Sequence, residues 1–144
     1  MSWTADLAHG LAEHLAAAGV AVYRPTGVYR DDETGIVIAV VPAAPPRVVV
    51  LSCYALADDV DQADSLIGLQ IRVRSGTPDP RDALDLIDEV FEELHGATHL
   101  TLAGVVVHLA ERTASTPMGR DQNGRYEHAD TYQLAVYRPT RWRA

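Results

Sequence analysis

The chain has 144 residues, of which 47% are hydrophobic and 22% charged, and its formal net charge is −8. That length suits one domain, residues 1–144, with a core of useful size. The acidic balance argues against a general nucleic-acid binder, which needs a basic surface to neutralise phosphates.

Met1 to Gly10 lacks the basic start and apolar core of a signal peptide. No apolar run approaches the ~20 residues of a membrane span. A soluble, intracellular protein without a membrane partner is expected. Cys53 stands alone, so no internal disulfide forms, and its apolar surroundings predict a buried, inert thiol.

In chain order, Thr4 to Ala18 reads as a helix with a Leu7, Leu11 and Leu15 stripe, started by Ser2 or Thr4 and ended by Gly19. Val20 to Arg24 is a short strand. Ile36 to Val41 is a continuous apolar run of strand length, expected to be buried on both faces. Pro42 to Pro46 favours extended, irregular backbone. Arg47 to Tyr54 is a β-branched strand, and Ala57 to Ser65 an acidic loop. In Leu69 to Arg74 the apolar residues Leu69, Ile71 and Val73 alternate with Gln70, Arg72 and Arg74, which marks a strand with one buried face. Asp79 and Pro80 then form a helix start. Leu84, Ile87, Phe91 and Leu94 recur at helical spacing, and Gly96 suits the end. Asp82, Asp85, Asp88, Glu89, Glu92 and Glu93 make its outer face acidic.

His99 to Arg112 reads as one long strand. Its apolar parity changes at Ala103-Gly104, as a β-bulge at Gly104 would produce. Thr113 to Gly124 reads as a loop, either a binding element or a floppy surface segment. Tyr126 to Arg138 returns as a strand with Tyr132, Leu134 and Val136 on one face. The tail to Ala144 carries no cap or core signal, although Trp142 between two arginines could dock on a partner. The fold class is α+β: a mostly antiparallel sheet of five to six strands with two helices packed on one face.

Chemistry is sparse. Phosphate-loop, dinucleotide and nucleophile-elbow patterns are missing. His9 and His14 lie about 140° apart round a helix of ~3.6 residues per turn, so they share no ligand face. His95 and His99 straddle a cap glycine. His108 on a strand reads as a surface or interface residue. Asp58, Asp59, Asp61 and Asp64 lack the glycine and terminal Glu of a calcium loop. No cofactor, metal or catalytic set is expected. Charge is segregated: acids crowd into residues 31–33, 58–64 and the second helix. Basic residues gather at Arg112, Arg120, Arg125, Arg138, Arg141 and Arg143. One copy could set its acidic side against the basic side of another.

The run Leu69 to Arg74, the helix from Pro80 to Gly96, and Met118 to Leu134 resemble the tail terminator or minor capsid proteins of long-tailed phages. The most specific stretch is Gly119 to Leu134, where Asp121, Asn123-Gly124-Arg125-Tyr126 and Asp130-x-Tyr132 are similar to members from actinobacterial phages. The resemblance implies a structural protein without enzymatic activity. It implies a ring, usually of six copies, that caps the tail tube and joins it to the head connector, with DNA passing through unbound. The implied location is the head–tail junction of a virion assembled in the host cytoplasm. On that reading Arg72 and Arg74 of one copy would meet Asp82, Asp85 and Glu89 of the next. Met118, Arg120, Asn123, Arg125 and Trp142 would touch the tail tube or connector. A small α+β enzyme and a monomeric ligand-binding module are the competing readings; an enzyme should show a concave pocket with a perturbed titratable group inside it, and a ring protein flat, extended surfaces and a projecting loop.

Overall fold

The computed structural model describes residues 2–144. Helix α1 spans Trp3–Ala17. Strands β1 (Val22–Tyr23), β2 (Thr34–Ile38), β3 (Arg47–Asp58) and β4 (Asp64–Arg74) follow. Helix α2 covers Pro80–Leu94, before β5 (Thr98–Leu102), β6 (Val105–Arg120) and β7 (Tyr126–Tyr137). The seven strands form one sheet in the order β1-β2-β3-β4-β7-β6-β5. β1–β2 and β2–β3 pair in parallel, and the remaining neighbours antiparallel. The α+β class holds, but the sheet is larger than expected and mixed.

Both helices start from a side-chain cap. Ser2 Oγ accepts from Ala5 N at 3.2 Å, and Asp79 Oδ1 from Arg81 N at 3.0 Å. Such caps satisfy N–H groups that have no partner within the helix. Gly19 and Gly96 both sit at φ +83° just past the helix ends, a conformation glycine adopts without strain. In α2 the buried stripe is Ala83, Leu86, Ile87, Val90 and Leu94. Leu84, expected inside, is 47% exposed, because it lies one residue off that stripe.

α1 packs against β1, β2 and β3 and also against β5 and β6. One helix therefore touches both edges of the sheet, which curls around it. Gly10 makes the closure possible. A Cβ there would stand 2.6 Å from the Leu102 carbonyl carbon and 2.9 Å from Ala103 N. Leu7, Leu11 and Leu15 fill the curl with Leu51, Leu69, Ile71 and Tyr132 in one apolar cluster.

Several boundaries differ from the sequence reading. The expected bulge at Gly104 is a two-residue hairpin turn between β5 and β6. Ala103 and Gly104 both have positive φ, 49° and 83°, as the favoured tight hairpin requires. A turn and a bulge both switch apolar parity, so the pattern could not separate them. The expected 113–124 loop is mostly strand: β6 runs to Arg120 and pairs with β7 down to Arg120↔Tyr126. The acidic loop shrinks likewise, since β3 reaches Asp58 and β4 begins at Asp64. The 36–41 run leaves the sheet after Ile38, where Ala39 turns to φ +70°, so Val40 and Val41 are exposed.

Candidate assembly surface

Antiparallel partners share a face of the sheet. One face carries Val49, Leu51, Leu69, Ile71, Leu134 and Val136 under the helices. The other has no helix over it. From the β3 side to the β6 side, the rows Tyr54–Gly68–Gln133–Glu111 and Ala57–Leu66–Ala135–Leu109 lie across it. Tyr54 lies flat along its neighbour: a Cβ on Gly68 would meet the Tyr54 ring at 2.2 Å. Tyr54, Leu109 and Tyr137 remain partly exposed there.

Arg74 was expected on this open face as a free cation, and the structure corrects that. Its side chain is buried, and its guanidinium donates to three carbonyls of the proline segment: Pro46 from Nε at 2.7 Å, Pro42 from Nη1 at 2.8 Å and Pro45 from Nη2 at 2.7 Å. Burial lowers its pKa from the usual arginine value. The alternation placed the residue on the correct face but could not show that Pro42–Pro46 covers it. Arg72, half-buried, pairs with Glu127 of its own chain at 2.5 Å. Asp82 is also occupied internally, accepting from Arg47 Nε at 3.0 Å and Gly76 N at 2.7 Å. Of the five residues expected between copies, Asp85 and Glu89 are the two that stand exposed on α2 without an ion pair among the described residues.

The expected loop residues fall into two groups. Met118 and Arg120 lie near the end of β6 and are exposed. From Thr113 onward β6 pairs with β7 on one side, whereas β5 reaches only as far as Leu109. The last turns of β6 therefore form an open sheet edge, with register shifts around His108, Thr113 and Met118. Bulges and Pro117 suit such an edge because they blunt indiscriminate strand pairing. Beyond it, Asp121 accepts from Asn123 N and Arg125 N at 2.9 Å each. Those bonds, led by the one from Arg125, lower the Asp121 pKa. Asn123 is exposed, while Arg125 folds back on Asp121 at 3.3 Å and is mostly covered. Trp142 is 81% exposed.

Two polar arrangements carry no motif in the sequence. Asp130 is fully buried and receives the Ser115 hydroxyl and Arg112 Nη1, the latter at 3.3 Å. His128 Nε2 lies 2.8 Å from Ser115 Oγ. These residues are the types of a nucleophilic triad, but the wiring differs. In a triad the carboxylate holds the imidazole nitrogen opposite the serine. Here Asp130 lies 3.5 Å from Nε2, the nitrogen that faces Ser115, and the serine hydroxyl donates to the carboxylate itself. The group compensates a buried charge. Its signal was parity: His128 and Asp130 continue the even positions of Tyr132, Leu134 and Val136. Arg112 also stacks on Phe91 of α2, 4.2 Å from the ring centre. The second arrangement is Arg143, whose buried guanidinium bonds the carbonyls of Asp59, Asp64 and Arg138 and the Ser65 hydroxyl. It pins a tail that carried no packing signal.

His108 is exposed, as expected of a surface residue. Cys53 is half-buried, and burial pushes its thiol up to about 11. Among the described residues no group of three His, Cys, Asp or Glu side chains is placed to hold a metal.

The sheet curls around α1 and leaves one face and one edge uncovered. The chain is similar to a chain of the virion of a native gene transfer agent particle, with a TM-score of 0.58 and 16% identity. The match covers 94% of this chain and 95% of that one, and at such identity it speaks for the fold. No curated protein sequence matches. The model of the bacteriophage tail terminator protein family matches residues 14–138. The chain belongs to that family and is a structural protein of a phage tail.

Proposed function

We propose that copies of this chain close into a ring, of six as is usual for the family it resembles, which caps the tail tube and joins it to the head connector. Family membership over residues 14–138 carries the reading. The acidic α2 surface at Asp85 and Glu89 would face a basic surface of the next copy, a heterologous contact of the kind that closes rings. Met118, Arg120 and Asn123, at the exposed end of the β6–β7 hairpin, would reach the tube. Arg125 would shape that tip through Asp121. The net charge of −8 suits a ring through which DNA passes without being held.

The test is the double charge reversal D85K/E89K. Neither side chain is buried, so the fold should survive and thermal melting should stay near wild type. Mass photometry with tail tubes should show rings from the wild type and isolated copies from the variant. Rings of unchanged size would remove α2 from the contact.

A further inference from the structure

The uncovered face ends in a cleft of about 420 Å³. Leu66 and Ala135 line it from the uncovered face, beside His108, with Asp58, Asp59 and Asp64 around them; the Asp58 carboxylate already accepts from the Ser65 hydroxyl at 2.7 Å. An apolar floor with an acidic rim fits a segment that is both flat and cationic. The chain carries such a segment. Thr140 and Arg143 bond each other in both directions, N to O, at 3.0 and 3.3 Å, closing a tight turn. The buried Arg143 guanidinium fixes that turn to the β3–β4 connection. The turn holds Trp142 out in solvent, with the Arg141 guanidinium 5.1 Å from its ring centre. Arg141 is exposed and has no ion pair among the described residues. A tryptophan presented on a pinned turn is a common anchor in interfaces.

We propose that the Arg141–Trp142 turn of one copy inserts into the acidic-rimmed cleft of the adjacent copy. The indole would cover Leu66 and Ala135, and Arg141 would meet the Asp58–Asp64 rim. Turn and cleft adjoin in each copy, because Arg143 bonds the Asp59 and Asp64 carbonyls beside the cleft, so a copy that offers its turn also presents its cleft at the same contact. This inference rests on the ring reading but concerns separate residues from the α2 contact.

The test uses the full chain, alone and with the major tail protein, and three variants: W142A, R141D and A135R. Position 142 is exposed, so W142A should melt like the wild type. A135R fills the cleft from its floor, and R141D reverses the charge facing the rim. Sedimentation over a concentration series should show self-association weakened at least tenfold in each. A photoreactive side chain at position 142, in a mixture of ¹⁴N and ¹⁵N copies, should cross-link between isotopes to residues 57–66 or 135–136. If W142A and A135R assemble like the wild type, the insertion is refuted while the ring stands. Cross-links to the tail protein would make the tube the occupant and refute it too. A wild type that stays single even beside tubes overturns both the insertion and the ring.

Discussion

Replacing Arg74 with alanine separates a structural role from an interface role for this residue. The guanidinium is 4% exposed and donates to the carbonyls of Pro42, Pro45 and Pro46 at 2.7–2.8 Å. A hydrogen bond to a charged group contributes about 1.5–3 kcal/mol net. Three such bonds do not add fully. Pro42 and Pro46 are half-buried, so water takes up part of their demand once the side chain is gone. The desolvation of the cation, which lowers its pKa, also offsets part of the gain. A net loss of about 3–4 kcal/mol follows. For a domain of this size that lowers Tm by about 10–15 °C. Arg74→Lys keeps the charge but replaces the planar fork by a single point donor, so it should lose about 2 kcal/mol. Urea unfolding followed by circular dichroism measures both, provided the m value is unchanged. R74A within about 1 kcal/mol of wild type would refute the assignment and return Arg74 to the candidate interface.

Gly10→Ala should destabilise the chain by about 2 kcal/mol although alanine is the better helix former. The new methyl would meet β5 backbone at Leu102, and a calorimetric Tm equal to wild type would show that the helix and turn can separate freely. Glu33 is held down to about 2 by the Arg24 guanidinium and then the Arg30 backbone N–H. Its folded pKa is depressed, so its contribution is complete above about 4.5 and fades as pH falls towards 2. E33Q should flatten the stability–pH curve in that window; an unchanged slope by acid titration of Tm would contradict the pairing. The Cys53 thiol, pushed up to about 11 by burial, should react with a disulfide reagent at pH 8 about a hundredfold more slowly in the folded chain than in denaturant. Equal rates would mean that β3 opens readily.

The second helix and β4 were legible because their signals are local. Asp79-Pro80 starts α2, and the alternation of Leu69, Ile71 and Val73 fixes the buried face of β4. The outer half of β6 was illegible for a physical reason. Thr113 to Arg120 has neither face deeply buried, carries Pro117, and breaks its period of two with register shifts around Thr113 and Met118. A strand without apolar alternation reads as a loop. The parallel pairing of β2 with β3 was hidden as well, because only eight residues link Ile38 to Arg47, where a crossover helix would normally advertise it. Among the candidate contact residues, exposure was predicted well where it depends on the residue's own element, as for Asp85 and Glu89. It failed for Arg74, whose cover comes from Pro42–Pro46, and for Asp82, which Arg47 and Gly76 engage from outside α2. Family resemblance supplied what residue chemistry alone could not, since an assembly surface needs no constellation of reactive groups.

Cryo-electron microscopy of intact tails that contain this chain tests the ring directly. A closed ring of 15.6-kDa copies is expected at the head-proximal end of the tube, with α2 against the adjacent copy. A single copy at that position, or copies distributed along the length of the tube, would contradict it.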